Sequence, residues 1–159
     1  MNRLLKVVGA IVVFLVLVLV ILRITGLNPH GQKPGLWLSG NLVKTPVTDW
    51  SFTDQFYAIE LQTNTWYGLP HSVTINCMIA NGHLYLFSAY PAGTHRSWDD
   101  NVMRDPHVRM KLGDDLYDRT LVVVADPAES ESVFEARKKK YPKLKVPPNS
   151  TVQIFRVEG

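Results

Sequence analysis

The chain carries one cysteine, Cys77, in 159 residues. A lone thiol excludes an intramolecular disulfide and a cysteine-based zinc site. Cys77 falls on the apolar face of a predicted strand, where a thiol acts as a small buried hydrophobe. Common catalytic signatures are missing too. There is no GxSxG elbow, no P-loop, no GxGxxG and no HExxH. His71, His83, His95 and His107 recur every twelve residues. That period fits neither a helix face nor a strand face, so no metal site is expected. The net charge is only +3. The cations are scattered, apart from the short run Arg137 to Lys140, so no nucleic-acid partner is expected. Internal repeats are absent.

Charge is also absent from Val7 to Leu22. With Leu4, Leu5 and Ile24 the apolar span approaches about 20 residues, or about 30 Å of helix, enough to cross a bilayer core. No small-x-small cleavage site follows it, and no lipoprotein cysteine. The run reads as an uncleaved, single-pass transmembrane anchor over residues 1–24. Arg3, Lys6 and the terminal amine precede it; Arg23 and Lys33 follow. The slight excess before the span places the N-terminus in the cytoplasm and the rest of the chain outside it. Residues 25–35, with three Gly and two Pro, read as a linker. Residues 36–159 then form one domain.

The strongest local signal in that domain is Asn81-Gly82 between two apolar runs, SVTINCMIA and HLYLFSAY. A tight type I′ turn needs positive φ at both central residues, which Asn and Gly supply. The predicted register sets Ala80 opposite His83, Met78 opposite Tyr85, Asn76 opposite Phe87 and Thr74 opposite Ala89. On the other face Ile79 meets Leu84, Cys77 meets Leu86, Ile75 meets Ser88 and Val73 meets Tyr90. The second face is nearly all apolar and is expected to form the core. The first mixes aromatics with Asn and Thr, and is expected to be a ligand wall or a subunit interface.

Further strands are expected at Leu36–Val43, Phe56–Thr63, His107–Leu112, Leu116–Ala125 and Ser150–Val157. Gly40, inside the first of these, suggests a bulge or a close approach by another backbone. Trp50 and Phe52 are expected to close one end of the barrel. Ser97 fits an N-cap for a short helix, with Asp100 completing a capping box. Asp126, Pro127 and Glu129 open a longer helix ending near Tyr141. Its late cations suit the helix dipole. The adjacent acids Asp99 and Asp100 are read as helix-start residues rather than as an acid-base pair. The pattern is mainly β (α+β): a small antiparallel barrel with one short and one longer helix, preceded by a single transmembrane helix.

One constellation remains. Thr94, His95, Arg96 and Ser97, with the free amides at the start of the short helix, make an anion-friendly corner. An Arg beside such amides suits a phosphate. Thr74, Ser88 and Tyr90 on the hairpin stand where they would border a flat ring.

The order of these features resembles a known family. A hairpin leads to Arg96-x-Trp98-x-x-Asn101, then Asp105-Pro106-x-Val108, a second hairpin and a late helix. This is similar to the split β-barrel flavin-binding superfamily, which includes pyridoxamine-phosphate-oxidase-like proteins and deazaflavin-dependent nitroreductases. The resemblance implies a six-stranded barrel, a homodimer, and an FMN or deazaflavin phosphate held at the dimer groove. It assigns phosphate contact to Thr94, Arg96 and Ser97, support of that loop to Trp98 and Asn101, and proximity to the ring to Thr74 and Ser88. Pro91-Ala92-Gly93 stands where the nitroreductases carry Gly-Gly, and no Lys/Arg-rich stretch precedes the first hairpin strand. The expected activity is oxidoreduction with the electrons carried by the cofactor. Two alternatives stay open: a cofactor-free, membrane-tethered binding or dimerisation module, and a haem or small-ligand barrel using His71 or His95.

Overall fold

The computed structural model describes residues 2–159. Helix α1 spans Asn2–Thr25. An 18-residue stretch within Arg3–Thr25 has a mean hydropathy of 3.2 and none of it is buried in the protein, so the helix is long and apolar enough to cross a membrane. The strands are β1 (Asn41–Leu42), β2 (Ala58–Asn64), β3 (Pro70–Ala80), β4 (His83–Pro91), β5 (His107–Leu112), β6 (Asp115–Val123) and β7 (Ser150–Glu158). Helix α2 (Ser97–Arg104) precedes β5, and helix α3 (Pro127–Lys140) precedes β7.

Six of these strands close a barrel in the order β6-β5-β2-β3-β4-β7, with β7 returning to β6. All six neighbours in that ring run antiparallel. The two-residue β1 lies parallel against β6. The strand expected at Leu36–Val43 is therefore mostly irregular. Its Gly40 explains part of this. A Cβ there would meet the Asp114 carbonyl at 2.5 Å, so only glycine lets the two backbones approach.

The barrel interior holds Ile59, Leu61, Ile75, Cys77, Leu84, Leu86, Met110 and Phe155. The apolar hairpin face is thus core, as its sequence indicates. Trp50 is buried and stacks on Phe52, while Tyr117 meets Trp50 edge-on. Phe52 itself stays partly exposed.

The other hairpin face departs from the sequence expectation. Near the turn it is neither a ligand wall nor a subunit interface. Met78, Ala80, Tyr85 and Phe87 form a second core with Val133, Tyr141 and Ile154. Helix α3 covers them, and a helix packed on that face was not legible from strand alternation. Asp126 caps α3 by accepting from the amides of Ala128 and Glu129. Glu129 does not complete a capping box. Its carboxylate instead accepts from Tyr85 Oη and Arg156, each at 2.7 Å. Burial is the main reason the Tyr85 phenol is pushed up to about 12, and the bond to Glu129 adds to it.

Tyr141 fastens the end of α3 to the barrel. Its hydroxyl lies 2.6 Å from the carbonyls of Tyr57 and Cys77, and accepts from the Cys77 amide at 3.2 Å. One hydroxyl proton serves the two carbonyls in turn. Tyr141→Phe strands these buried backbone groups and is expected to cost about 1–3 kcal/mol. The check is the thermal midpoint in detergent, which should fall by several degrees. An unchanged midpoint would show the hydroxyl to be dispensable.

Candidate functional site

The hairpin of β3 and β4 begins as its turn demands. Asn81 and Gly82 both have positive φ. The pairs Ala80–His83, Ile79–Leu84, Met78–Tyr85 and Cys77–Leu86 form in the expected register. There the ladder stops. The expected pairs Asn76–Phe87, Ile75–Ser88, Thr74–Ala89 and Val73–Tyr90 do not form. From Phe87 onward β4 stays paired only to β7, and below Cys77 the strand β3 stays paired to β2. Alternation of main-chain direction leaves the N–H and C=O groups of Thr74 and Asn76 pointing into the gap. Ser72, next on the same edge, spends its own on Gly35, with bonds of 2.8 and 3.1 Å.

The gap is a cleft of about 320 Å³ lined by Thr74, Asn76, Ser88, Ala89, Arg96 and Trp98, with Arg137 and Lys145 on its far rim. It continues past Thr74, Arg96 and Trp98 into a second hollow walled by residues 31–34, including Lys33. No Asp or Glu lines either part. Burial pulls Arg137 down from its ordinary value. Its guanidinium lies over the Phe87 ring at 4.6 Å and donates to the Leu144 carbonyl at 2.8 Å.

Helix α2 carries the remaining candidates. Arg96, not Ser97, is its N-cap residue, and no side chain caps the helix. Position 96 has extended backbone, which turns the arginine toward β4, where its guanidinium donates to the Ala89 carbonyl at 3.2 Å. Ser97 lies one residue inside the helix and lines a different depression, together with His71, Trp66 and Arg104. Trp98 is buried against Phe155. Asn101 is buried and donates to Thr63 Oγ1 at 3.0 Å, pinning α2 to β2. Thr94 turns its hydroxyl onto the Pro91 carbonyl of its own loop. His95 is exposed, 3.7 Å from Asp100. Tyr90 is half-buried, and burial raises its phenol with help from the nearby Asp99 and Asp100.

Thus Thr74, Ser88, Arg96 and Trp98 meet in one cleft. Tyr90, Thr94, His95, Ser97 and Asn101 surround or support it without lining it. Sequence reasoning missed Lys33, Arg137 and Lys145. The first stands in the stretch read as a linker, and Arg137 was explained by the helix dipole. Only the folded chain brings them beside Arg96.

Asp99 was missed as well. It is 1% exposed, and neither carboxylate oxygen has a hydrogen-bond partner. The neighbouring Ser88 hydroxyl is also unpartnered. Burial dominates and pushes the Asp99 carboxyl up to about 6, against weaker downward pulls from Ser88 and Arg96. His71 is half-buried with Nδ1 unpartnered, and burial lowers it. No group of three or more potential metal ligands exists among the described residues.

The Asp99 shift sets a stability profile. The folded value, about 6, lies above the ordinary 3.8, so the folded state holds the proton more tightly. Stability from this group is fully present below about pH 4 and is lost as pH rises toward about 6. Asp99→Asn removes the buried charge while keeping the shape. At pH 7.5 it is expected to raise the thermal midpoint, by an amount equivalent to about 1–3 kcal/mol, and to change little at pH 4. Equal destabilisation at both pH values would refute this assignment.

No family model matches the sequence, and no curated protein sequence matches it. Solved structures do match the fold. A proposed pyridoxamine 5′-phosphate oxidase from Listeria innocua is 18% identical, covers 67% of this chain and 86% of its own, and superposes with a TM-score of 0.51. A structure described as a domain-swapped dimer is 21% identical over 65% of this chain and 81% of that one, with a TM-score of 0.53. A proposed 5-nitroimidazole antibiotic resistance protein from Bacteroides thetaiotaomicron is 17% identical over 80% of this chain and 84% of its own, at a TM-score of 0.50. With its six-stranded closure and its parted hairpin, the chain has the split β-barrel fold of the pyridoxamine-phosphate-oxidase-like proteins.

Proposed function

We propose that this protein is a membrane-anchored split-barrel oxidoreductase that binds the phosphate of FMN or a deazaflavin in the cleft between β3 and β4. The observation that carries the reading is the charge of that cleft: Arg96, Lys33, Arg137 and Lys145 around it, and no carboxylate lining it. An unbalanced cluster of cations beside a hydroxyl and open backbone groups matches a phosphate joined to a flat, polar ring. The residues present therefore fit the group.

Arg96, held on the Ala89 carbonyl at the head of α2, would take the phosphate together with Lys33 or Lys145. The unpartnered Ser88 hydroxyl and the open edge of Thr74 and Asn76 would bond the ring's polar rim. Trp98 would close the cleft floor and exclude water. The bound cofactor would supply the hydride or electron transfer. The chain's own part is to bind and orient it.

In this reading α1 is retained as a single-pass anchor, with the barrel outside the cytoplasm. The barrel pairs as a homodimer, so that a second copy covers the open side of the cleft. A solved structure of similar fold is described as a domain-swapped dimer, which supports pairing in general.

The test is spectroscopic. The detergent-solubilised protein is titrated with FMN and, separately, with a deazaflavin, and bound chromophore is read after gel filtration. Retention of one of them is expected, and Arg96→Ala is expected to weaken it about 10- to 100-fold, the value of one charge-assisted hydrogen bond. A colourless dimer that retains neither would overturn the redox reading and leave the cofactor-free dimerisation module. A Soret band in the purified protein would point to haem instead.

A further inference from the structure

The turn joining β2 to β3 puts two large aromatics into the open. Trp66 is 82% exposed and Tyr67 56%. Their rings meet edge to face, 5.4 Å between centroids. Isolated exposed apolar side chains are ordinary on a soluble surface, whereas an adjacent Trp–Tyr pair at the tip of a turn forms a patch.

Its surroundings indicate what covers it. An open cavity of about 710 Å³ has Arg23, from the last turn of α1, and Thr65, Gly68 and Leu69 of this turn on its walls, and β5, β6 and β7 supply much of the rest, including Asp118 and Glu158. The unburied apolar surface of α1 therefore ends across this cavity from the turn that carries the aromatic pair. On the other flank, Arg104 donates to the Asn64 carbonyl and shares a depression with Trp66 and Tyr67. Neither Arg23 nor Arg104 forms an ion pair among the described residues. Met103, next to Arg104, is exposed too.

Trp and Tyr favour the headgroup layer, where an apolar ring and a polar edge are both satisfied. Arginine there pairs with lipid phosphate. A bilayer spanned by α1 has that layer near Arg23, which shares a cavity with this turn.

We propose that the Trp66–Tyr67 turn, flanked by Arg23 and Arg104, seats in the lipid headgroup layer and fixes the barrel against the membrane. The proposal rests on the reading of α1 as a retained anchor. It also orients the protein: α2, which follows Arg96 and bears Trp98, is then held close to the bilayer.

Full-length protein carrying Trp66→Cys is labelled with an environment-sensitive fluorophore and reconstituted into vesicles of phosphatidylethanolamine and phosphatidylglycerol. Cys77 is fully buried, so the engineered thiol is the reactive one. His83→Cys serves as the control, because β3 separates the two turns by roughly 35 Å. A blue-shifted emission and quenching by headgroup-level spin-labelled lipid are expected at position 66 and not at 83. Replacing phosphatidylglycerol with phosphatidylcholine is expected to reduce the quenching at least twofold. Alkaline carbonate extraction of the same vesicles separates the two possible failures. Retention of the protein with a label at 66 as open to aqueous iodide as the label at 83 would overturn the proposal alone. Release of the protein by carbonate would overturn the anchor reading and the proposal with it.

Discussion

The parting of β3 and β4 governs the architecture. The Asn81-Gly82 turn holds the two strands together for four residue pairs, Cys77–Leu86 to Ala80–His83. Below that point each strand stays in the barrel through its other neighbour, β2 for the first and β7 for the second. The ring remains closed because β6 and β7 pair on the far side. A sheet can tolerate such a break only where its freed backbone groups meet solvent, a ligand or another segment. Gly35 serves Ser72 in this way, while Thr74 and Asn76 are left facing the cleft.

The side chains around the break divide into two kinds. Trp98, packed on Phe155, and Asn101, bonded to Thr63, hold α2 at the end of the barrel. They set where Arg96 stands rather than what it touches. The cations Arg96, Lys33, Arg137 and Lys145 come from the loop after β4, the segment after α1, α3 and the loop after α3. Their mutual repulsion is tolerable because they lie at a rim open to water. Asp99 is the exception to this polar logic. It is a buried carboxyl whose oxygens have no hydrogen-bond partner, near enough to Arg96 to feel its charge. Such unsatisfied groups collect where a structure serves something besides stability.

The tether adds a second constraint. Residues 26–36 do not dangle between helix and barrel. Leu27 exchanges backbone bonds with Trp37 and Leu36, Asn28 bonds Ser39, and Gly35 bonds Ser72. A Cβ at Gly35 would sit 2.1 Å from the Leu27 carbonyl, so this tight path requires glycine. The same segment brings Lys33 to the cleft, so the elements that attach α1 also build the site.

The sequence by itself determined the elements whose causes are local. The hairpin turn follows from positive φ at Asn81 and Gly82, the start of α3 from the Asp126 cap, the apolar helix from an unbroken uncharged run, and the core face of the hairpin from simple alternation. A small antiparallel barrel was legible on the same grounds, and its split-barrel class came from the resemblance carried by the Arg96, Trp98, Asn101 and Asp105-Pro106 pattern. Tertiary structure alone decided how far the hairpin stays zipped, which face α3 covers, and which cations gather at the gap. Each of these depends on contacts between residues tens of positions apart. Strand alternation records whether a side chain points in or out of a sheet, but it does not record where the sheet opens or what lies over its second face.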